Sequence, residues 1–291
     1  MMKKKVISCL LAAVMAASMA ACGGQESAEQ GENNSGTSGT SAQGSSSETA
    51  GDSTEAETPA ADTLIVGFDS AFPPMGFVGD DGEYTGFDLD LAAAVADRLG
   101  MGIEYKPIDW NSKDMELDSG TINCIWNGFT MTGREDDYEW SDPYMKNEQI
   151  FVVRGDSEYT SAADLEGKVI NVQMDSSAQH ALDENQELAS TFAEIRPVAD
   201  YLTCLMELES GAVEAVAMDE VFASYYITQN DKDFRILDDV IAEEEYGVGF
   251  KKGNTQLRDQ VNDTLKEMAK DGTLAEISEK WFGEDLTIIE A

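Results

Sequence analysis

The sequence predicts an α/β fold of two lobes joined by two crossing strands. Short apolar strands alternate with helical segments along the chain from Leu64 onwards, and this alternation is typical of α/β proteins with largely parallel strands. Two extended segments, Lys146–Arg154 and Glu243–Phe250, lie far apart in the sequence. If both cross between the lobes side by side, they form a hinge in which few residues absorb the rotation.

The same alternation predicts the individual elements. Strands are predicted at 64–67, 103–107, 122–126, 150–153, 169–173, 195–198, 213–217 and 246–250. Helices are predicted at 88–99, 112–119, 162–165, 178–184, 200–210, 220–229, 255–270 and 273–281. The first lobe then consists of 62–149 together with 247–291, and the second lobe consists of 150–246.

The first predicted strand, its loop and the helix after it form the most informative segment. The apolar run Leu64–Val66 ends at a glycine, and the loop that follows carries Asp69 and Phe72. Asp88 stands at the expected N-cap of the helix, and Gly100 at its expected C-cap. Ligands of open α/β sheets lie beyond the carboxyl ends of strands. The loop is therefore either a ligand site or a structural turn with a solvated Asp and a core Phe.

Residues 1–21 read as a secretory signal peptide. Three lysines precede an apolar core from Val6 to Val14, and small residues continue up to Cys22. The segment Met19–Cys22 resembles a bacterial lipobox, so we expect Cys22 to become the diacylated N-terminus of the mature protein. The protein is then anchored to the cell membrane on its extracytoplasmic face. An ordinary signal peptide with cleavage elsewhere is the alternative.

Residues 22–61 are predicted to form a disordered acidic tether. The stretch is rich in Gly, Ser, Thr, Glu, Gln and Ala, and it contains no aromatic residue, no Lys and no Arg. Such a composition cannot bury enough apolar surface to fold. We therefore expect a flexible linker between a lipid anchor and a folded part.

The charge balance argues against polyanionic partners. The chain holds 57 Asp and Glu residues against 19 Lys and Arg residues, which gives a formal net charge of −38. This field repels nucleic acid and anionic lipid surfaces, and its main consequence is solubility. No nucleic acid partner is expected.

Metal and redox chemistry have little support in the sequence. Cys9 leaves with the signal peptide and Cys22 is the expected lipidation site, whereas Cys124 and Cys204 are predicted to be buried free thiols. His180 is the one histidine, and no CxxC pair is present. We therefore expect no metal site and no cofactor.

Eight sequence blocks in consistent order resemble the solute-binding proteins of polar amino acid ABC importers. The blocks are GFDSAFPPMGF, GEYTGFDLDLA, WNGFTMTGRED, WSDPY, LEGKVINVQMDSSA, AVAMD, YGVGFKKGN and DGTLAEISEKWFG. The resemblance implies a periplasmic-binding-protein-like fold that clamps a free amino acid between its lobes and delivers it to an ABC permease in the membrane. It implies no catalytic residue, and we expect a monomer.

The resemblance also assigns the two charged ends of the amino acid. Gly128, Thr130 and Arg134 match the segment that binds the α-carboxylate, and Ser177 matches a backbone N–H donor at the start of a second-lobe helix. A guanidinium binds a carboxylate through a planar fork, and a helix start adds a positive dipole end. Asp219 matches the carboxylate that binds the α-ammonium group. Without the resemblance, Arg134 reads as a surface arginine and Asp219 as an N-cap.

Four further positions match those that meet the ligand side chain. Phe72 and Trp110 are expected to enclose it, which favours a flat or cationic group, and Asp69 is expected to accept hydrogen bonds from its far end. Gln173 stands where some family members carry a basic residue. A retained anion without that cation favours a basic or amide side chain, and Trp110 favours arginine slightly over lysine and glutamine.

Two departures from the family pattern stand next to these positions. The stretch Thr132–Arg134 is one residue shorter than usual, which predicts a displaced backbone at Arg134. Met174–Asp175 replaces a turn that contains glycine in the family.

Two other functions stay open at this stage. A cyclohexadienyl dehydratase-like enzyme on the same fold needs a general acid or base, and His180 is expected on a helix surface. A transport-independent sensor or adhesin binds an amino acid in the same way as a transport receptor.

Overall fold

The structure is a computed structural model that describes residues 63–290. The predicted signal peptide, the expected lipidation site Cys22 and the predicted tether lie outside these residues. Within 63–290, none of the helices has both the length and the apolar composition that a membrane crossing requires. Cys124 and Cys204 are buried free thiols, as predicted.

Strands and helices alternate along the described chain. The strands are β1 (Thr63–Phe68), β2 (Ala71–Phe72), β3 (Gly76–Val78), β4 (Tyr84–Thr85), β5 (Gly102–Pro107), β6 (Cys124–Ile125), β7 (Glu139–Trp140), β8 (Met145–Arg154), β9 (Val169–Gln173), β10 (Glu194–Val198), β11 (Ala215–Asp219), β12 (Phe234–Tyr246) and β13 (Gly249–Phe250). The helices are α1 (Phe87–Leu99), α2 (Lys113–Asp118), α3 (Ser177–Glu184), α4 (Gln186–Ala189), α5 (Tyr201–Ser210), α6 (Glu220–Asn230), α7 (Thr255–Asp271) and α8 (Thr273–Phe282). Short 3-10 turns occur at Trp110–Ser112 and Ala162–Leu165.

The first sheet has the strand order β5-β1-β6-β13-β7. Strand β1 runs parallel to β5 and β6, whereas β13 is antiparallel to β6 and β7. The buried side chains of Leu64, Val66 and Phe250 in this sheet belong to the same core as Val261 and Leu265 of α7. Packing of this apolar surface brings the C-terminal helices onto the N-terminal half of the chain.

The second sheet has the strand order β10-β9-β11-β8-β12. Strand β9 is parallel to β10 and β11, and β8 is antiparallel to both of its neighbours, β11 and β12. Phe151, Ile170 and Ala215 of this sheet form a core with Leu182 of α3. The middle of the chain therefore builds a lobe around its own sheet.

Two neighbouring connections join the sheets. The chain passes from β7 to β8 on the way out and from β12 to β13 on the way back, and Met145 pairs with Tyr246 where β8 and β12 meet the first sheet. Thr130 forms an additional bridge to Tyr246. The predicted α/β fold of two lobes joined by two crossing strands is confirmed.

The second crossing strand differs from its prediction. The prediction places a strand at 246–250, whereas the structure has a long strand β12 that ends at Tyr246 and a separate short strand β13. Strand β12 lies at the edge of its sheet, and its register shifts between Ile236 and Ala242. Charged residues are common on edge strands because they discourage pairing with other chains. The acidic residues of β12 therefore mask the apolar alternation that predicts a strand.

The prediction that Asp88 caps α1 is wrong. Gly86 is the N-cap, with a φ of 152°, and a Cβ atom there would lie 2.2 Å from the backbone oxygen of Met75. Only glycine fits this conformation and this space. Asp88 is fully buried instead, and its Oδ2 accepts hydrogen bonds from the backbone N–H of Gly128 at 2.5 Å and from the Tyr144 hydroxyl at 2.9 Å.

We expect Asp88→Asn to change the pH dependence of stability. Burial raises the pKa of Asp88 from 3.8 to about 7, so the folded protein holds a proton that the unfolded chain releases across this range. The group therefore lowers the free energy of unfolding as the pH rises from about 4 to 7. Asp88→Asn should remove a slope of up to about 1.4 kcal/mol per pH unit, measured by urea denaturation at several pH values.

The matched control is Asp97→Asn, which changes an exposed carboxylate on the same helix. This variant should keep the slope of the unchanged protein. A slope that survives in Asp88→Asn would contradict the assigned role of the buried carboxyl group.

Candidate functional site

All nine predicted site residues line one cavity between the two sheets. They are Asp69, Phe72, Trp110, Gly128, Thr130, Arg134, Gln173, Ser177 and Asp219. Two residues that the sequence analysis missed complete the lining, Asn127 and Ser176. This arrangement brings the residues together, while their roles in binding stay predictions.

Three of the polar residues reach the cavity because of where their strands end. Asp69 follows β1, and Gln173 and Asp219 are the last residues of β9 and β11. The carboxyl ends of parallel strands meet at one edge of a sheet, which is the usual position of ligand sites in α/β folds.

Asp69 joins the two lobes across the cavity. Its Oδ2 accepts a hydrogen bond from Gln173 Nε2 at 2.7 Å, and its Oδ1 accepts one from the backbone N–H of Ala71 at 2.8 Å. Burial raises the pKa of Asp69, although these hydrogen bonds act in the opposite direction. The carboxylate keeps further lone pairs for a hydrogen-bond donor inside the cavity.

Asn127 is an additional polar group of the cavity. Its Oδ1 accepts the backbone N–H of Asp69 at 3.0 Å, and its side chain is 2% exposed. Its Nδ2 is buried and has no hydrogen-bond partner in the described part of the chain. A buried amide donor without a partner is costly, so this group is available to a ligand acceptor. The sequence signal was its place in the block WNGFT, directly before Gly128.

Gly128 has a positive φ of 56°. A Cβ atom there would lie 2.9 Å from a ring carbon of Phe72 and 3.2 Å from one of Tyr246. Glycine is therefore required both by the backbone conformation and by the close approach of the two rings. The bond from its N–H to Asp88 fixes this loop, and the loop carries Thr130 into the cavity.

Arg134 reaches the cavity despite the shorter Thr132–Arg134 stretch. Its Nη1 lies 3.4 Å from the backbone oxygen of Thr130 and its Nη2 lies 3.4 Å from that of Asp175. Its Cζ stands 5.5 Å from the centre of the Phe129 ring. Among residues 63–290 the guanidinium forms no ion pair, so its charge is available to an anion.

The N-terminus of α3 lies next to this guanidinium. Ser176 is the N-cap and accepts the backbone N–H of Gln179 at 3.1 Å, so that the helix begins at Ser177. The start of a helix carries unpaired N–H groups and a partial positive charge. Arg134 and this helix end therefore bring two positive groups to one corner of the cavity, an arrangement that suits an anion.

Asp219 supplies the opposite charge. Its Oδ1 accepts hydrogen bonds from Asn147 Nδ2 at 3.0 Å and from the Tyr246 hydroxyl at 2.5 Å, and its Oδ2 accepts one from the Tyr201 hydroxyl at 2.9 Å. The side chain precedes α6 but makes no capping bond, which argues against a purely structural N-cap. Burial raises the pKa of Asp219, and no Lys or Arg of the described chain forms an ion pair with it.

Further contacts between the lobes were not predicted. Lys113 forms an ion pair with Asp175, and its side chain is 3% exposed. Asp175 has a φ of 60°, an uncommon value for a residue other than glycine, and it belongs to the Met174–Asp175 turn, where this chain departs from the family pattern. His180 lies on α3 beside Glu184, with a side chain that is 44% exposed, and it does not line the cavity.

Among the described residues, no group of His, Cys, Asp and Glu side chains is arranged to hold a metal ion. The cavity instead combines a guanidinium without an ion-pair partner in 63–290, a helix N-terminus, an amide donor without a partner in the same range, and a buried carboxylate. Such a site can hold a small molecule that carries both an anionic and a cationic group.

Known proteins are similar to this chain in sequence and in fold. Over 228 residues the chain is 33% identical to the L-cystine-binding protein TcyJ of Escherichia coli (strain K12). The matched region covers 77% of this chain and 84% of TcyJ. The chain is also 30% identical over 223 residues to the arginine-binding extracellular protein ArtP of Bacillus subtilis (strain 168). This matched region covers 75% of this chain and 86% of ArtP.

A solved structure agrees with these sequence relatives. The substrate-binding protein of an ABC uptake transporter from Streptococcus pneumoniae, with bound histidine, has a TM-score of 0.76 and 37% identity, covering 78% of this chain and 95% of that chain. Residues 64–284 match the family described as bacterial extracellular solute-binding proteins, family 3. The chain therefore belongs to the bacterial extracellular solute-binding proteins of family 3.

Proposed function

We propose that this protein is the extracytoplasmic receptor of an amino acid ABC importer and that it clamps one polar amino acid between its lobes. One observation carries the proposal. A single cavity brings together Arg134 and Asp219, and within residues 63–290 neither of them has an ionic partner. A zwitterion supplies the missing partner of each. The relatives named for cystine, arginine and histidine support an amino acid as this zwitterion.

Each end of the amino acid has its own set of contacts. The α-carboxylate binds Arg134, with additional donors from Thr130, from the loop at Gly128 and from the start of α3 at Ser177. The α-ammonium group binds Asp219. Closure of the lobes removes water from both ion pairs, which strengthens them because the local dielectric constant falls.

Ligand binding shifts the equilibrium between the open and closed forms. We assign 62–149 together with 247–291 to the first lobe and 150–246 to the second. Contacts from both lobes to the ligand exist only in the closed form, so the binding free energy favours closure. The closed form of a monomeric receptor then docks on its permease.

The side chain of the ligand is proposed to be basic or amide, with arginine slightly favoured. Asp69 and Gln173 offer acceptors for donors at its far end, and the rings of Phe72 and Trp110 border the same cavity. Cystine is the second candidate, because TcyJ is a cystine-binding protein at 33% identity.

The decisive experiment is a thermal-shift panel of the twenty amino acids and L-cystine on the protein. A rise in melting temperature with one amino acid or a few related ones supports the receptor. No shift with any of these ligands would contradict the proposal.

We expect Arg134→Ala to weaken amino acid binding by more than about a hundredfold, because it removes a charged partner of the buried α-carboxylate. Isothermal titration calorimetry measures the loss. Arg196→Ala, which removes a guanidinium on the edge strand β10, is the matched control and should bind as the unchanged protein does. A large loss of ligand-free melting temperature in Arg134→Ala would instead assign the residue to structure.

We expect Asp69→Asn to weaken arginine binding at least about tenfold more than glutamine binding, because the neutral amide loses its attraction for a cationic side chain. Competition calorimetry with both amino acids measures the ratio. The control is Asp80→Asn at an exposed loop position. Equal losses for the two ligands would refute the assignment of Asp69 to the side-chain end.

Membrane attachment is proposed to come from a lipid on Cys22. Support comes from the lysines, the apolar core and the lipobox-like Met19–Cys22 segment of the first 22 residues. The tether then holds the folded lobes clear of the membrane surface.

We expect Cys22→Ser to release the protein from the membrane fraction, because the acylated thiol is lost. Fractionation and immunoblotting of cells measure the release. Cys9→Ser, within the predicted signal peptide, is the control and should remain in the membrane fraction. Membrane attachment of Cys22→Ser would refute lipid anchoring.

A binding role is favoured over catalysis. The polar groups of the cavity are salt-bridge and hydrogen-bond partners for a zwitterion, and the imidazole of His180 lies outside it. A sensor or adhesin without transport activity differs from an import receptor in its gene neighbourhood, where permease and ATPase genes support import.

A further inference from the structure

A second carboxyl group lies behind Asp219 in the second sheet. Glu244 of β12 pairs in register with Asn147 of β8. The Asn147 Nδ2 donates to Glu244 Oε1 at 2.6 Å and to Asp219 Oδ1 at 3.0 Å. Glu244 is 5% exposed and Asp219 is 3% exposed. One amide group therefore bridges two buried carboxyl groups.

More hydrogen-bond donors of this network point to Asp219 than to Glu244, which favours the negative charge on Asp219. Asp219 receives both buried tyrosine hydroxyls in addition to Asn147, whereas Glu244 receives Asn147 and Gln149 Nε2, the latter at 2.8 Å. The Oε1 of Gln149 is buried and has no partner within the described chain. The network thus has more acceptors than donors, and a proton on Glu244 would convert one acceptor into a donor.

Arg134 is the one cation among the described residues that line the cavity, and it forms no ion pair with either carboxyl group. The elements around the pair carry further titratable side chains. They include Tyr201, Cys204 and Glu207 on α5, Tyr246 on β12, Glu220 on α6, His180, Asp183 and Glu184 on α3, and the outward-facing Lys146, Glu148, Glu243 and Glu245 of the crossing strands. His180 lies beside Glu184, and Glu220 accepts the hydroxyl of Ser224. Within residues 63–290, neither carboxyl group of the pair forms an ion pair with Lys or Arg.

We propose that Glu244 carries a proton in the ligand-free protein and releases it when the α-ammonium group of the ligand binds Asp219. The inference rests on the proposed function, because the ligand supplies the cation. Two neighbouring carboxyl groups in a low-dielectric site do not both ionise, and Asp219 keeps the charge because it has more donors. The ammonium group neutralises that charge, and the O–H bond of Glu244 then breaks.

The released proton has a route to water. Glu244 lines an open surface depression together with Thr132, Lys146 and Glu245. The carboxylate that remains is held by the amide groups of Asn147 and Gln149. Burial, followed by the charge of Asp219, raises the pKa of Glu244 to about 8, which agrees with a protonated group at neutral pH.

The pair does not require closed lobes. Asp219, Asn147, Gln149 and Glu244 all belong to strands of the second sheet, so their arrangement is set by the pairing of β8 with β11 and β12. Glu244 is therefore a positioning residue that couples the ionisation state of the site to ligand binding.

Infrared spectroscopy of the ligand-free protein tests the first half of the proposal. At pH 7 we expect the carbonyl band of a protonated carboxylic acid that shifts on labelling with carbon-13 glutamate and disappears in Glu244→Gln. The matched control is Glu243→Gln, at the exposed neighbouring position of the same strand, which should retain the band. A spectrum unchanged by Glu244→Gln, or a band that does not shift on glutamate labelling, would overturn the proposal.

A second variant tests the same point if Glu244→Gln does not fold. Asp219→Asn removes the neighbouring charge, so the band of Glu244 should weaken at pH 7 although Glu244 is still present. A band of full strength in that variant would show that Asp219 does not hold the proton on Glu244.

Calorimetric titration with L-arginine tests the second half. In buffers of different ionisation enthalpy, we expect release of roughly half a proton or more per ligand at pH 7, equivalent to roughly a threefold gain in affinity per pH unit. Glu244→Gln should bind arginine without this release. Equal proton release by the variant would overturn the proposal.

The two sets of measurements separate the proposals. If no amino acid binds, the proposed function fails, while the infrared result still decides the protonation state of Glu244. If arginine binds without proton release, the receptor stands and the role of Glu244 fails.

Discussion

The site depends on a buried carboxylate that forms no ion pair with any Lys or Arg of residues 63–290. Asp219 is surrounded by the hydroxyl groups of Tyr201 and Tyr246 and by the amide of Asn147. These neutral donors hold the carboxylate in place but do not cancel its charge, and removing an unpaired charge from water is costly. The fold thus leaves the negative charge of Asp219 without a counter-charge in the described chain. We infer that a ligand ammonium group neutralises it and that Arg134 binds the opposite end of the same molecule.

The contacts between the lobes set how easily the cavity closes. The Lys113–Asp175 ion pair and the Asp69–Gln173 hydrogen bond both join the lobes, and neither requires a ligand. Contacts of this kind stabilise the closed form whether or not a ligand is present, so they must stay weak if the ligand is to decide the equilibrium. The side chain of Asp175 is half exposed, and this contact with water weakens its attraction to the buried Lys113.

Most elements of the fold were predictable because they have strong local signals. Apolar runs marked the buried strands, and helical spacing with a following glycine marked α1 and α7. Strand β12 was predictable only at its end, because an edge strand needs no continuous apolar pattern. The cap of α1 was wrongly assigned to Asp88, because the choice between Asp88 and Gly86 depends on the backbone of Met75, which packs there from the preceding loop.

The sequence by itself determined the α/β class, the two crossing strands and nine of the eleven residues that line the cavity, because strand ends and family motifs are local features of the chain. Only the tertiary structure decided which of these groups have partners. Asn147 meets Glu244 across 97 positions of the chain, and Lys113 meets Asp175 across 62. Such contacts follow from the pairing of β8 with β12 and from the closed lobes. Local periodicity carries no information on contacts between residues so far apart in the sequence, because such contacts are set by the packing of whole elements.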